Sequence, residues 1–257
     1  MVSIIILGKI ETMNRISKIL SRAGIVSRRD AEKLVLNGSV GVNGIVISDV
    51  ATKVRTSDRI TVNGNLVAQP DVTRLWRYYK PVGLVTSNSD EKGRPTIYDE
   101  LPAGLPRLMA VGRLDIASEG LLLLTNDGAL KRKLELPSTG LERKYRVRAN
   151  GIHKERFLDK LRFGIIINGE KFRPMEVTLD RITGSNVWYH VVLREGRNRE
   201  IRRAFNKINM TVNRLIRISF GSVSLGSLSK GDIEEIGTGI KKNNYFTREE
   251  KTNLEEF

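Results

Sequence analysis

An α+β protein in two parts is what this sequence predicts, and three observations predict it. Two short helical runs of apolar residues are followed by strands around Asn-Gly turns. The longer second part consists mainly of alternating or wholly apolar strand-like runs. One of those runs passes into a helix across a loop at Gly196. With 257 residues, the chain can form one large domain or two smaller ones around a buried core.

The opening MVSIIILGKI has a short apolar centre, but no positive charge precedes it and no small-residue cleavage pattern follows. It therefore reads as an N-terminal extension, 1–12, rather than a signal peptide. From Met13, the residues Ile16, Ile19, Leu20 and Ala23 recur at the spacing of one helical face, and Gly24 stops that helix. Ser27 is an N-cap for a second helix with Asp30 at the capping-box position, and Asn37-Gly38 ends it. The two helices are expected to pack through Ile16, Ile19, Leu20, Ala31, Leu34 and Val35. VGVNGIVI and RITVNGNLV follow, each alternating about an Asn-Gly pair, the strongest short-range hairpin signal. Gln69, Pro70 and Asp71 read as a linker, closing a first domain at 13–71.

A second domain, 72–240, opens with an apolar and aromatic strand that Lys80-Pro81 interrupts, so a sharp bend or an edge is expected there. Next comes VGRLDIASEGLLLLTNDG. Its four leucines, closed by Asn126, Asp127 and Gly128, are too short a run for a helix and read as a buried strand. Asp115 stands just upstream on an approach containing Gly112 and Gly120, glycines that permit tight bends and close backbone approach. From this stretch alone, a carboxylate capping a turn is the plainer reading. In LERKYRVRANG, Tyr145 and Val147 alternate with Lys144, Arg146 and Arg148 as in a half-buried strand. VWYHVVLREGRNREIRRAFNKI then runs from strand to helix, and Arg194 to Arg217 holds seven arginines and one lysine against two glutamates. So much arginine points to phosphate recognition or to a buried partner for a carboxylate. The last segment, Lys241 to Phe257, is a charged tail.

Lys and Arg number 44 against 29 Asp and Glu, a formal charge of +15. Such an excess calls for a polyanionic partner, nucleic acid above all. A membrane surface would require a long apolar span or a basic amphipathic helix with bulky anchors, and the sequence has neither. There is no cysteine, which excludes disulfides, thiolate metal sites and cysteine nucleophiles. The two histidines, His153 and His190, stand far apart and read as structural, so no metal is expected.

Two helices followed by short strands resemble the alpha-L RNA-binding domain, named after ribosomal protein S-four, over Met13 to Asp71. That family carries a basic face to structured RNA, so the resemblance implies RNA contacts at Arg15, Lys18, Arg22, Arg28, Arg29 and Lys33. Further along, KPVGLVTS, GRLDIASEGLLLLTNDG, KYRV and REGRNREIRRAF resemble, in this order, the motifs of the RsuA and RluB family of ribosomal-RNA pseudouridine synthases. The combined match spans Met13 to about Ile240. It implies a catalytic domain with a mainly antiparallel sheet flanked by helices. It also implies an enzyme that breaks the C1′–N1 bond of uridine and remakes it from C1′ to C5, with no cofactor and no metal.

The resemblance assigns roles residue by residue. Asp115 is the carboxylate, attacking the ribose C1′ or promoting elimination to a glycal; the two routes stay open. Arg202 is the guanidinium that orients Asp115 and keeps it anionic against desolvation. Tyr145 stacks on the target base and can take part in removing the C5 proton, an aromatic platform being tolerant of a base that rotates in place. Beside these, Arg113, two residues before Asp115, is the candidate for the wedge that fills the space left by the extruded nucleotide, and Arg199 and Arg203 are the candidates for phosphate contact. Two positions depart from the family pattern. Ser118 stands where threonine is common, and Glu200 stands where glutamine is common. Glu200 is expected to face the RNA-binding rim or to pair with another arginine.

The implied partner is ribosomal RNA, as a structured stem-loop alone or in a pre-ribosomal particle, met by a cytoplasmic monomer. GRLDIASEGLLLLTNDG and LELPSTG resemble the RluB branch most, which implies large-subunit (23S) rRNA. Small-subunit (16S) rRNA remains the alternative within the family. From a different class, a non-enzymatic assembly factor would use the basic surfaces alone, and it would have no reason to keep Asp115, Tyr145 and Arg202 together.

Overall fold

Residues 13–237 are described by the structure, a computed structural model, and the chain divides into two compact units between Thr73 and Arg74. The extension 1–12 and the tail 241–257 lie outside the described residues.

In the first unit, strand β1 (Asn14–Arg15) leads into helix α1 (Ile16–Arg22), and Gly24 turns the chain before helix α2 (Arg28–Leu36). Ser27 caps α2. Its hydroxyl accepts the Asp30 N–H at 3.1 Å and donates to the Asp30 carboxylate at 2.6 Å, supplying one of the donors that a helix start leaves unpaired. Ile16, Leu20, Ala31 and Val35 are fully buried between the helices, with Ile19 and Leu34 packed at the margin. Strands β2 (Val40–Val42), β3 (Ile45–Val46), β4 (Lys53–Val54), β5 (Ile60–Val62) and β6 (Asn65–Leu66) follow. Four of them form a sheet in the order β3-β2-β5-β6, and β1 pairs with β4. Both hairpins turn through left-handed Asn-Gly pairs, with φ of +54° and +86° at Asn43-Gly44 and +50° and +81° at Asn63-Gly64. Arg15, Lys18, Arg28, Arg29 and Lys33 are exposed, whereas Arg22 is half-buried and donates to the Asp71 carbonyl at 2.7 Å.

The second unit begins with β7 (Leu75–Lys80), which ends where Pro81 removes a backbone donor. Then come β8 (Met109–Val111), β9 (Glu119–Thr125), helix α3 (Gly128–Glu135), β10 (Arg143–Asn150) and helix α4 (Glu155–Arg162). The rest of the unit is β11 (Ile165–Ile167), β12 (Glu170–Phe172), β13 (Glu176–Thr183), β14 (Asn186–Leu193), helix α5 (Glu200–Lys207), β15 (Thr211–Phe220), β16 (Val223–Ser224) and β17 (Ile233–Glu235). The main sheet runs β13-β14-β10-β15-β9-β7-β17, with β16 on β15 and β8 on β9. Its pairings are antiparallel except that of β15 with β9.

Strand β9 explains the leucine run. Every one of its residues is buried, because the sheet is covered on both faces there. Leu122 and Leu124 join Tyr78, Tyr145, Leu158 and Phe205 on the face of α4 and α5, while Leu121 and Leu123 join Leu75, Leu134 and Phe220 on the face of α3. Period two sends neighbours to opposite faces, so a strand with a core on each side must be apolar throughout. Each leucine so buried contributes roughly 1.5–3 kcal/mol. Among the described residues no helix is long and apolar enough to cross a membrane.

Asp115 lies in the loop between β8 and β9, and the entry of β9 is fixed by a close approach. Gly120, at φ +104°, pairs with Arg217 of β15, and a Cβ there would stand 2.4 Å from the Arg217 carbonyl oxygen and 2.8 Å from its nitrogen. Both contacts are with backbone that cannot give way. Gly120→Ala is therefore expected to lower the unfolding free energy by at least about 1–3 kcal/mol, read as a lower denaturant midpoint at unchanged m-value.

Candidate active site

The loop carrying Asp115 is held by its carbonyls. Lys80, at the end of β7, is fully buried, and its ammonium donates to the carbonyls of Pro81 at 2.8 Å, Ser118 at 3.0 Å and Asp115 itself at 3.3 Å. Gly83 N–H donates to the Ile116 carbonyl at 2.8 Å. Thr86 completes the grip: its hydroxyl donates to the Leu114 carbonyl at 2.9 Å and accepts the Leu114 N–H at 3.3 Å. The KPVGLVTS segment is thus a clamp on the backbone around the aspartate. Burial lowers the Lys80 ammonium to about 8, against the opposing charges of Asp115 and Glu119.

So gripped, Asp115 borders two depressions of about 650 and 640 Å³, and its side chain keeps 32 % exposure. Arg113 and Arg199 line both. Tyr145, on β10, lines the first and is otherwise packed into the core, where it pairs across the sheet with Arg217. Asp115 and Tyr145, two of the residues singled out from sequence, therefore share one cavity. The cavity wall is strongly cationic, with Arg143 and Arg217 stacked over the ring of Phe220 at 4.8 and 5.4 Å.

Arg202 is placed differently from what the family motif implies. Its guanidinium donates to the carbonyls of Ala117 at 2.8 Å and Val212 at 2.7 Å, and among the described residues it makes no ion pair with Asp115. The cation within reach of the Asp115 carboxylate is Arg199, at 3.7 Å. Arg202 acts on the aspartate indirectly, by fixing the Ala117 carbonyl and through its charge at longer range. Arg203 pairs with Glu170 at 2.7 Å and lies over Phe172 at 4.6 Å, which leaves it committed to β11–β12 rather than to the cavity.

Glu200 also departs from expectation. It neither faces an open rim nor pairs with an arginine side chain: it is 3 % exposed, lines the first depression, and accepts the Arg197 N–H at 2.9 Å. As the first residue of α5 it is drawn inward by the turn that precedes the helix. His153 hydrogen-bonds Tyr189 at 3.0 Å, and His190 lies 3.9 Å from Asp180. Among the described residues no group of histidines and acids could hold a metal.

Residues 74–207 match the model of the RNA pseudouridylate synthase family, and residues 15–60 match the S4 domain. An uncharacterised RNA pseudouridine synthase of Rickettsia conorii is 48 % identical over 90 % of this chain and 100 % of its own length. The ribosomal large subunit pseudouridine synthase B of Pseudomonas aeruginosa is 41 % identical over 86 % of this chain and 59 % of its own. A crystal structure of a pseudouridylate synthase superposes with a TM-score of 0.61 at 27 % identity, covering 88 % of this chain and 96 % of that one. The chain belongs to the RNA pseudouridylate synthase family. It is an isomerase that converts uridine in RNA to pseudouridine, built as an S4 domain followed by the synthase fold.

In this synthase the sequence does not single out the lysine that holds the site or two of the arginines that line it. Lys80 shows in the sequence only as an interruption before Pro81, because a lysine on an apolar strand signals burial but not its partners. Arg217 and Arg143 are single cations on alternating strands, and only the bulged register of β10 against β15 turns both toward Phe220.

Lys80→Met keeps the side-chain volume but leaves carbonyls in the interior without a donor. It is expected to cost about 1–3 kcal/mol of stability and to lower kcat with little change in KM; urea melts and steady-state kinetics would check both. Arg199→Gln is expected to reduce kcat at constant stability, whereas Arg202→Gln, which loosens the tie to Ala117 and Val212, lowers thermal stability as well. Comparing both rates and Tm separates the two arginines.

Proposed function

We propose that the enzyme modifies uridine in large-subunit (23S) ribosomal RNA, with Asp115 as the reacting carboxylate. One observation carries the assignment of the carboxylate. Asp115 is the acid on the common wall of two cavities, its backbone pinned and its carboxylate partly open beside a guanidinium. The choice of RNA is supported by the likeness to synthases named for the large ribosomal subunit. The S4 domain supplies the first contact, with Arg15, Lys18, Arg28, Arg29 and Lys33 exposed toward phosphate, and Arg22 adding its charge from a half-buried position.

The reaction asks four things of the chain, and the residues named here divide them. The target nucleotide must leave its helix, at a cost of about a few kcal/mol, and Arg113 on the cavity rim fills the space it vacates. Tyr145 then holds the uracil by its face, which tolerates the rotation that exchanges N1 for C5. Asp115 attacks C1′ or assists loss of the base as a glycal forms. In either route it must remain charged in a site that partly excludes water, and Arg199 beside it, with Arg202 behind it, supplies the opposing charge. The C5 proton leaves and N1 gains one, so the net change is an isomerisation with no electron or phosphate transferred. Arg203 contributes to the phosphate-facing field by charge alone. A monomer in the cytoplasm, where pre-ribosomal particles assemble, is the form that acts.

Pseudouridines mapped across both rRNAs in cells lacking the protein should be missing at one 23S site or a tight cluster. Wild type restores them and Asp115→Asn does not. A missing 16S site would transfer the assignment to the small subunit. Rescue by Asp115→Asn would remove the aspartate from the chemistry.

A further inference from the structure

The segment that delivers Arg199 is braced by carboxylates. Glu195 accepts the Arg173 N–H at 2.8 Å and the Arg197 guanidinium at 3.0 Å, and Arg197 reaches on to Glu170 at 2.6 Å. Glu200 closes the other end: its Oε2 accepts the Arg197 N–H, and its Oε1 is buried without a donor. Inside this brace Arg199 takes a left-handed backbone, φ +49° and ψ +35°. A non-glycine residue in that region is strained, so the surrounding contacts must enforce it. It is this strained residue whose guanidinium reaches Asp115.

Glu195 and Glu200 are neighbours about Arg197, which gives its guanidinium to one carboxylate and its N–H to the other. A buried carboxylate oxygen with no donor, close to a second acid, is relieved by one proton on the pair. Glu200 is the better place for it. Its Oε2 already accepts, its Oε1 lacks a donor, and it is the more deeply buried, whereas Glu195 has Arg173 and Arg197 to stabilise a charge. We propose that Glu200 carries this proton, donates it in a hydrogen bond to Glu195, and is thereby a positioning residue that closes the Arg194–Arg199 loop and holds Arg199 against Asp115. The proposal rests on the reading of Asp115 as the reacting carboxylate.

The charges around the pair agree with this. Burial pushes Glu200 up to about 7, opposed by the Arg197 N–H and guanidinium and reinforced by Glu195. On Glu195 burial also pushes upward, but the Arg173 N–H, Arg197 and the Glu200 hydrogen bond outweigh it and leave the group below its usual range. Arg143 on β10, with Arg217 of β15 beside it, is the cation that faces Glu200 from the sheet. Above neutrality the proton is lost, two carboxylates face each other, and the brace opens. The folded state binds more protons than the unfolded state between the ordinary glutamate value and about 7. Stability therefore falls as pH rises through that window.

The test is single-turnover pseudouridine formation by the full chain on an rRNA transcript carrying the mapped uridine, from roughly pH 6 to 9, with Tm measured alongside. Wild-type rate is expected to fall as pH rises through about 7. Glu200→Gln, whose amide donates to Glu195 at any pH, keeps the low-pH rate and loses this fall. Any remaining decline lies higher, where Lys80 titrates. Glu200→Ala is about tenfold slower in kcat at every pH with KM within about twofold. The Tm series is repeated in an Asp115→Asn background, where Glu200→Gln should still remove the slope of stability with pH, so that the loop is judged independently of the nucleophile. A Glu200→Gln enzyme that retains the wild-type pH profile overturns the proposal. So does a folded but inactive Glu200→Gln, or a Glu200→Ala at wild-type rate.

Discussion

One ammonium group under the active-site loop governs the rest of the site. A lysine with no exposed surface is expensive to keep charged, and the protein keeps Lys80 by giving it carbonyl oxygens in place of water. Two of those oxygens, of Asp115 and Ser118, belong to the turn that bears Asp115, so desolvating the lysine and ordering the aspartate are one event. Loss of the charge would free the loop, and loss of the loop would strand the charge. This reciprocity makes the aspartate's backbone rigid while its side chain stays open to a nucleotide, a combination that a loop held by side-chain packing alone would not provide.

The same economy appears on the opposite side of the loop. Arg202 spends its two terminal nitrogens on the carbonyls of Ala117 and Val212 and so staples the turn to β15. Arg199, three residues earlier and left-handed, supplies the cation beside the carboxylate. Two arginines thus divide tasks that the motif assigned to one. Position along α5 accounts for this: a residue inside the first turn points along the helix face toward the loop backbone, whereas the residue preceding the helix can project over its end into the cavity.

Most of the architecture could be read from the residues because local and global demands agree. Ser27 with Asp30, Gly24, and the two Asn-Gly pairs specify their turns by backbone chemistry that needs no tertiary partner. The leucines of β9 announce a strand covered on both sides. Asp115 and Tyr145 could be singled out because each lies in a distinctive motif, and they do meet in one cavity. What could not be read depends on where a long side chain ends. Arg199, Arg202 and Arg203 are equivalent as letters, and their partners are Asp115 and Ala117 in one loop and Glu170 in a distant strand. The burial of Glu200 is illegible for a related reason: a charged residue at a helix start is ordinarily exposed, and only the loop preceding α5 encloses it.

That burial bears on how the cavity can be so basic and still carry Glu195 and Glu200 on its wall. Ionised, Glu195 and Glu200 would compete for the same arginines that favour an incoming phosphate. With one proton shared, the pair presents a single negative charge, and that charge is already consumed by Arg173 and Arg197. The arginines nearer Asp115 are left to the substrate. The field at Asp115 is then set by how many protons the neighbouring loop holds as well as by how many cations surround it, and a glutamate at position 200 makes that number depend on pH where an amide would not.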